Sequence, residues 1–382
     1  MKIALTGLIF GHFSYSNVNT HLAYHLIKKG HTVHVNAMEG KSITIEECCK
    51  KYMPHLKDAA EVMKGIYVDN LYSDEYDMAI YFPVGSVFNR RDDKIKAKKH
   101  IFYTVWSHAN YPEEWAKECN KYDEIWTPSQ ANADAIKATR LCDKPIVVVP
   151  HGYEKSLFYP KANNNKVFKI GMCNAICEFK GADLAIDAFI DEFGTEDKVE
   201  LWLQTIERKS PKDQHGMYYP FLLNYINKYP EKQLKIFYYE KNCDVQEMAD
   251  FYRSCNLIMS PHRGDGFGMI GLESLACNVP IVISEYHGPL DYIKEDYPFW
   301  VGGTMSWTNK KSGRHHFPDG GGTEGTVFRY FEPNRDNIKT CLRQAYADWS
   351  EGTQIDCKQY LKGLTWEEVA TIVEGRGNAG NI

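Results

Sequence analysis

The chain has 382 residues, of which 43% are hydrophobic, 13% aromatic and 25% charged, and its formal net charge at pH 7 is -5. A chain of this length exceeds one ordinary hydrophobic core, which predicts two domains. The composition indicates a folded, soluble protein, and the net charge excludes a general attraction to nucleic acid or to an anionic membrane.

Neither targeting nor membrane insertion is indicated by the sequence. No segment reaches the roughly 20 consecutive apolar residues that a membrane-spanning helix needs. Residues 1–11 contain a short apolar run without a small-residue cleavage site, which indicates a buried first strand rather than a signal peptide. The 11 cysteines are irregularly spaced and form no paired C-x-x-C set. We therefore expect a reducing, cytoplasmic location and no structural zinc.

The first half of the sequence alternates short apolar segments with helix-like segments. The predicted elements, in chain order, are a strand at 2–8, a helix at 17–30, strands at 31–37, 76–82, 99–106 and 122–129, a helix at 129–139, and a strand at 145–152. Short apolar strands separated by helices indicate a parallel sheet covered on both faces. Residues 1–160 are therefore predicted to form a doubly wound N-terminal domain.

The same alternation begins again after a linker rich in proline and asparagine at 153–166. The predicted elements are strands at 168–175, 199–205, 234–239, 256–261 and 280–285, with helices at 181–194 and 244–255. They predict a second Rossmann-like domain over residues 166–355. Residues 356–382 are expected to form a C-terminal helix that packs back on the N-terminal domain and ends in a frayed tail. The basic, glycine-rich segment 307–326 is expected to be a mobile loop or a surface insertion.

A turn rich in glycine follows the predicted strand at 256–261. Gly264, Gly266 and Gly268 punctuate this turn, and a helix-like run follows it. Glycine lets backbone N–H groups approach a ligand closely, and the N-terminus of a helix favours an anion. Asp265 lies in the turn, so it either caps the helix or contacts a bound ligand.

The helix after this turn carries a carboxylate on its apolar side. Its apolar stripe is formed by Met269, Leu272 and Ala276, and Glu273 lies on the same stripe. Burying an unpartnered carboxylate costs several kcal/mol. The sequence therefore predicts that Glu273 binds either a structural Arg or Lys or a ligand rich in hydroxyl groups.

Seven segments give the chain a specific resemblance to a known family. They span residues 28–35, 122–136, 147–160, 179–189, 248–261, 260–282 and 364–370. In this order they resemble the retaining glycosyltransferases of family 4. The resemblance implies the α/β fold called GT-B, in which two Rossmann-like doubly wound domains face a central cleft.

The resemblance also implies a reaction and a set of residues for it. It implies transfer of a sugar, with retention, from a nucleoside-diphosphate sugar of the UDP or GDP type to a hydroxyl acceptor on a glycan or small molecule. Lys180 matches the residue that binds the donor phosphates, Asp265 the residue that contacts sugar hydroxyls, and Glu273 the residue that binds the ribose. His108 lies where the family often has a histidine near the transferred sugar. The catalytic candidates are His108, Lys180 and Asp265.

The remaining donor-binding candidates come from two loops. Gly11 lies in the loop that matches the first strand-to-helix turn of the family, although the usual paired glycines are missing there. The backbone of Gly266, Phe267 and Gly268 is expected to hold the sugar of the donor.

The sequence departs from the family pattern at two positions. The first carboxylate of the family motif is a glutamate, and here it is Asp265, which is one methylene shorter. The family also carries an arginine shortly before the lysine that Lys180 matches, and this arginine is absent. Arg263 is the candidate that replaces it at the phosphates, and a structural ion pair with Glu273 is the alternative.

No cofactor or metal is expected beyond the nucleotide-sugar co-substrate. The sequence contains no Asp-x-Asp triplet of the kind that holds a divalent ion in the other main transferase architecture, so Lys180 and Arg263 are expected to replace the cation. A nicotinamide-dependent dehydrogenase is disfavoured because the first strand is not followed by G-x-G-x-x-G.

A basic run in the first half leaves the acceptor open. Its cations are Arg90, Arg91, Lys94, Lys96, Lys98 and Lys99, interrupted by Asp92 and Asp93. A solvated helix face is the simpler interpretation. The alternative is a phosphate-binding surface for a nucleic-acid acceptor, which would make the enzyme a transferase acting on a modified base. A second alternative is a non-catalytic protein that only binds sugar nucleotides.

Overall fold

The computed structural model describes residues 1–38, 44–68, 71–83, 93–173, 176–205, 227, 230–307 and 327–378. It divides the chain into two compact units. The first unit contains Met1–Leu157 together with the C-terminal segment from Gly363, and the second contains the described residues between Phe158 and Lys362. The second unit thus begins at Phe158, within the linker that the sequence predicts at 153–166, and it includes residues 356–362.

The elements of the first unit follow one another as the parallel-sheet pattern predicts. Its strands are β1 (Lys2–Gly7), β2 (Thr32–Ala37), β3 (Glu75–Tyr76), β4 (Met78–Phe82), β5 (Lys96–Ala97), β6 (His100–Tyr103), β7 (Glu124–Thr127) and β8 (Ile146–Val148). Its helices are α1 (Ser14–Lys28), α2 (Ile45–Tyr52), α3 (Ala59–Val62), α4 (Glu113–Cys119), α5 (Gln130–Thr139) and α11 (Trp366–Asn378), numbered by their place in the whole chain.

The main sheet of the first unit has the strand order β2-β1-β4-β6-β7-β8, and every neighbouring pair is parallel. All residues of β4, β6 and β7 are buried, as expected for strands covered on both faces. α11 packs against α1, and Arg376 of α11 binds Glu124 of β7 through two hydrogen bonds of 2.8 and 3.1 Å. The last helix is therefore an integral part of this unit.

The second unit repeats the same architecture. Its strands are β9 (Phe168–Cys173), β10 (Val199–Thr205), β11 (Ile236–Glu240), β12 (Leu257–Ser260), β13 (Ile281–Ser284), β14 (Trp300–Val301), β15 (Gly303–Trp307) and β16 (Arg329–Pro333). Its helices are α6 (Ala182–Glu192), α7 (Val245–Ser254), α8 (Met269–Ala276), α9 (Pro289–Tyr292) and α10 (Arg335–Ser350), with short 3₁₀ turns at Glu178–Lys180, Pro230–Lys235 and Cys357–Tyr360.

The main sheet of the second unit has the order β11-β10-β9-β12-β13-β14, again with parallel neighbours. Because β9 and β12 are adjacent and parallel, the chain segments that follow them emerge at the same edge of the sheet. Lys180 follows β9, and the glycine-rich turn follows β12. This topology brings the two predicted donor-binding segments together.

Some elements differ from the sequence-based expectation. β15 and β16 form an antiparallel hairpin that the sequence analysis does not predict, and the glycine-rich segment between them lies, from residue 308 to 326, outside the described residues. α8 is also not amphipathic, because every residue from Ile270 to Ala276 is buried. The stripe residues Leu272 and Ala276 are buried as expected, and so are the positions of this helix outside the stripe.

Candidate functional site

The glycine-rich turn between β12 and α8 is closed by Asp265. Its Oδ1 accepts a hydrogen bond of 2.9 Å from the backbone N–H of Gly268. Gly268 has a φ of +79°, and a Cβ at this position would lie 3.2 Å from Pro289 and from the Tyr292 hydroxyl. Glycine is therefore required for the left-handed conformation that begins α8. One carboxylate oxygen of Asp265 stabilises this turn.

The other carboxylate oxygen of Asp265 binds Lys180. Lys180 Nζ lies 2.7 Å from Asp265 Oδ2, and the two side chains are 20% and 22% exposed. Burial by itself would raise the pKa of Asp265, but the Lys180 charge, the neighbouring His262 and the two hydrogen bonds outweigh it and lower this pKa to about 2. A fixed ion pair therefore lies at the edge of the turn, within reach of solvent.

Gly181 determines how closely the Lys180 segment approaches the turn. It has a φ of +75°, and a Cβ at this position would lie 2.0 Å from the carbonyl oxygen of Pro261. Any side chain here would push the two segments apart. Gly181 is not among the predicted site residues, although its place directly after Lys180 and before a helix was a signal for such a close approach.

Arg263 is buried and bound by two carboxylates. Its Nη1 and Nη2 donate to Asp183 at 2.7 and 2.8 Å, and its Nε and Nη2 donate to Glu332 at 2.9 and 2.8 Å. Nη1 also donates to the carbonyl of Glu178. Burial opposes the charge of the guanidinium, but the two carboxylates outweigh it and raise the pKa of Arg263.

These contacts change the interpretation of Arg263. A guanidinium has five N–H donors, and all five of Arg263 are used within the protein. The phosphate contact expected for Arg263 does not fit this arrangement, because no donor remains for a ligand. The alternative ion pair with Glu273 is also wrong, since the partners are Asp183 and Glu332. Arg263 instead fixes the Lys180 segment to the turn and to β16.

Glu273 lies on α8 and is 7% exposed. Its Oε2 accepts a hydrogen bond of 2.9 Å from the hydroxyl of Tyr252, which is on α7. No cation is paired with Glu273 among the described residues. Burial raises the pKa of Glu273 to about 7, although the hydrogen bond from Tyr252 acts in the opposite direction. Of the two interpretations of Glu273, the structural ion pair is absent from the described part of the chain.

His262 is a buried polar residue of the turn that sequence analysis did not select. Its side chain is fully buried, and neither ring nitrogen has a hydrogen-bond partner. Burial lowers the pKa of His262 to about 4, although the negative charge of Asp265 acts to raise it. The imidazole is therefore neutral beside the Lys180–Asp265 ion pair. Its position directly after a buried strand, next to Arg263, was the only signal for it in the sequence.

The first unit contains the other two predicted site residues. His108 follows β6 and is 1% exposed, and its ring centroid lies 5.0 Å from that of Trp106. Gly11 lies in the loop between β1 and α1, where a Cβ would lie 2.7 Å from Ser16 Oγ. The structure thus places Lys180, Asp265, Gly266, Phe267, Gly268, Arg263 and Glu273 in the second unit, and His108 and Gly11 in the first.

The basic run of the first unit is not a helix where the structure describes it. Arg90 and Arg91 lie outside the described residues. Lys94 Nζ lies 5.9 Å from the centroid of the Tyr72 ring, and Lys96–Ala97 is a short strand paired with β3. The helix face that the sequence predicts is therefore wrong for this part of the run.

Two further cations of the run are bound by carboxylates. Lys98 Nζ lies 2.7 Å from Asp77, and Lys99 Nζ lies 2.5 Å from Glu124, which is almost fully buried. Arg376 binds the same Glu124 carboxylate. Lys99 is consequently part of the internal structure of the unit and is not a free cation for a polyanion.

The described residues offer neither a cluster of metal ligands nor a membrane-spanning helix. Within these residues, no group of three or more His, Cys, Asp or Glu side chains is arranged to hold a metal ion. In the same part of the chain, no helix has both the length and the apolar character required to cross a membrane.

Solved structures match the fold of this protein over nearly the whole chain. Sucrose-phosphate synthase from Thermosynechococcus elongatus superposes with a TM-score of 0.67 at 12% identity and covers 99% of this chain and 98% of its own. HepE from Anabaena, solved in complex with UDP and glucose, superposes with a TM-score of 0.64 at 13% identity and covers 99% and 100%. The protein therefore has the mixed α/β fold of the GT-B glycosyltransferases.

The sequence identifies the family within that fold. Residues 133–371, well over half of the chain, match the family described as Family 4 Glycosyltransferase in conflict systems, and the chain belongs to this family. An uncharacterized glycosyltransferase from Methanocaldococcus jannaschii is 25% identical over 151 residues, which is 40% of this chain. The match spans only 37% of the length of that relative. The resemblance to family 4 that the sequence indicates is confirmed.

Proposed function

We propose that this glycosyltransferase moves a sugar, with retention of anomeric configuration, from a UDP- or GDP-sugar to a hydroxyl group of a glycan or small molecule. The observation that carries the proposal is the ion pair of Lys180 and Asp265 beside the N-terminal end of α8, eight residues before Glu273, a buried carboxylate that pairs with no cation in the described part of the chain. A helix N-terminus and an ammonium group favour a diphosphate, and carboxylates favour sugar hydroxyls. The UDP and glucose bound to HepE, which has the same fold, support this donor class.

Each residue of the second unit has a separate role in this proposal. Lys180 stabilises the negative charge that grows on the diphosphate as the glycosidic bond breaks. Asp265 contacts hydroxyls of the transferred sugar, and the backbone of Gly266 and Phe267 lies beside that sugar. Glu273 accepts hydrogen bonds from the ribose. Arg263 holds the Lys180 segment in place and is not assigned to the phosphates.

The proposed reaction proceeds on one face of the sugar. The bond from the anomeric carbon to the leaving diphosphate oxygen breaks, and the bond to the acceptor oxygen forms on the same face. The acceptor proton passes to the leaving phosphate, so no carboxylate base is required. His108 and Gly11 of the first unit stay candidate contacts to the transferred sugar and the phosphates, on the family resemblance alone.

We further propose that no divalent cation takes part, because Lys180 supplies positive charge to the diphosphate and the sequence has no Asp-x-Asp triplet. Activity is then expected to survive excess EDTA. Full loss of activity that magnesium or manganese restores would contradict this assignment.

A panel of UDP- and GDP-sugars tests the proposal directly. One nucleotide class is expected to raise the melting temperature and to support transfer to a hydroxyl acceptor, because ligand binding to the folded state stabilises it. An NMR time course of the product is expected to show retention at the anomeric carbon. A protein that no nucleotide sugar stabilises would overturn the donor assignment, and inversion would overturn the mechanism.

A further inference from the structure

Glu273 on α8 is held by a buried hydrogen bond from Tyr252 on the neighbouring helix α7. Tyr252 on α7 is 2% exposed, and its ring lies 6.1 Å from that of Phe158. Its hydroxyl donates a hydrogen bond of 2.9 Å to Glu273 Oε2. A phenol has one proton, and in this arrangement that proton is directed at the carboxylate.

We propose that Tyr252 is a positioning residue that orients the Glu273 carboxylate toward the nucleoside of the donor and couples donor binding to release of a proton from Glu273. This inference rests on the proposed function, because it takes the ligand of Glu273 to be a nucleotide sugar. Tyr252 binds one carboxylate oxygen and thereby fixes the plane of the carboxylate. The other oxygen is then presented to ligand hydroxyls in one orientation.

The proton linkage follows from the surroundings of Glu273. The titratable groups that face it are Tyr252 on α7, Cys173 on β9, Cys277 next to α8, and Tyr292 on α9. Burial raises the pKa of each of these thiols and phenols, so all four are neutral at pH 7. Glu273 is thus the member of this cluster that changes charge near neutrality.

The direction of the linkage is fixed by the chemistry of the ligand. Ribose hydroxyls donate hydrogen bonds, and these stabilise the ionised carboxylate and lower its pKa. The donor must therefore bind more tightly as the pH rises through the pKa of free Glu273, and binding must release a proton below that pH. The Tyr252 hydrogen bond also favours ionisation. Its loss must move the midpoint to higher pH.

The test measures affinity for UDP-glucose and GDP-mannose, by titration calorimetry, from about pH 5.5 to about pH 8.5, the range in which Glu273 titrates. The diphosphate of a nucleotide sugar is esterified at both ends and does not titrate there. In Tyr252→Phe we expect affinity about tenfold weaker at pH 7 and a return to near-parent affinity at the upper pH limit, since one pKa unit is tenfold. In Glu273→Gln we expect a weak affinity that does not depend on pH. Adding Tyr252→Phe to this variant is expected to change the affinity no further.

A matched control separates positioning from a general effect on packing. Tyr297 is a buried tyrosine of the same unit whose hydroxyl is bound by the backbone of Ile281 at 2.7 and 2.9 Å. Tyr297→Phe is expected to lower stability without moving the pH midpoint of binding. If Tyr252→Phe and the parent bind the donor with the same pH midpoint, the inference is wrong and the donor assignment is unaffected. Absence of binding of both nucleotide sugars to the parent would instead overturn the donor assignment itself.

Discussion

The guanidinium of Arg263 donates hydrogen bonds of 2.7 and 2.8 Å to the two carboxylate oxygens of Asp183. Asp183 lies 80 residues earlier in the chain. This bidentate contact joins the start of α6 to the glycine-rich turn, and Glu332 adds a second carboxylate from β16. A guanidinium with two carboxylates and a carbonyl around it is a structural group, since its planar fork is fully occupied.

Replacement of Arg263 by alanine is expected to destabilise the second unit strongly. The change leaves Asp183 and Glu332 without their cation, and breaking such a buried pair costs about 3–5 kcal/mol. Urea unfolding measures this loss. Arg335→Ala is the control, because its side chain is 40% exposed in a surface ion pair and its loss is expected to cost less than about 1 kcal/mol. If Arg263→Ala keeps the stability of the parent and loses donor binding, Arg263 binds the donor phosphates after all.

Replacement of Lys180 by alanine is expected to weaken donor use by about 2–5 kcal/mol, the typical cost of truncating one member of a desolvated charge pair. The loss has two causes: the diphosphate loses its cation, and Asp265 loses the charge that contributes to its lowered pKa. The measurement is kcat/KM at subsaturating donor. Lys241→Ala is the control in the same unit, because that lysine is 61% exposed. Unchanged turnover in Lys180→Ala would show that Lys180 does not bind the donor.

The ligand-free protein is expected to lose stability as the pH rises toward and through neutrality because of Glu273. Its pKa is raised from 4.5 to about 7 in the folded state, so the folded protein binds a proton more tightly than the unfolded chain between these values. The free energy of unfolding therefore falls as pH rises through this window, by about 3 kcal/mol in total at 1.36 kcal/mol per pKa unit.

Glu273→Gln removes this contribution, and urea unfolding at several pH values compares the two proteins. We expect the variant to gain stability relative to the parent as the pH rises through the window, because its side chain does not ionise. Parallel curves for the two proteins would show that Glu273 is solvated like an ordinary surface carboxylate and would contradict its raised pKa.

Much of the fold was predictable because its strands have a simple pattern. β12 and β13 are buried at every position and consist mainly of branched apolar residues, so they read as internal strands of a parallel sheet without further information. The hairpin of β15 and β16 was not predicted. Four of the five residues of β15 are exposed and the fifth is intermediate, so the strand shows no alternation of buried and exposed positions.

The site was predictable only in its local parts. Asp265, Gly268 and Glu273 lie in one short segment with a recognisable spacing, and the structure shows them in a turn and the helix that follows. The partners of Arg263 were not predictable, because Asp183 and Glu332 lie 80 and 69 residues away in the sequence. Such pairings are set by strand order, which the apolar pattern alone does not specify. The contact between Tyr252 and Glu273 was not predictable for the same reason, since the two residues lie on different helices.

The described cations of the basic run, Lys94, Lys96, Lys98 and Lys99, bear on the kind of acceptor that the enzyme uses. A nucleic-acid acceptor releases counterions on binding, so its affinity would fall linearly with salt on a log–log plot. We expect no such steep dependence, because Lys98 is bound to Asp77 and Lys99 to the buried Glu124.

The variant that tests it replaces Lys94, Lys96 and Lys98 by glutamine and spares Lys99, whose ion pair is internal to the unit. With a neutral hydroxyl acceptor, screening has little charge to act on. The acceptor KM and its dependence on salt are then expected to match those of the parent, as is donor affinity. A steep salt dependence that this variant flattens, together with a raised acceptor KM, would show that the run binds phosphates and would make a nucleic acid the acceptor.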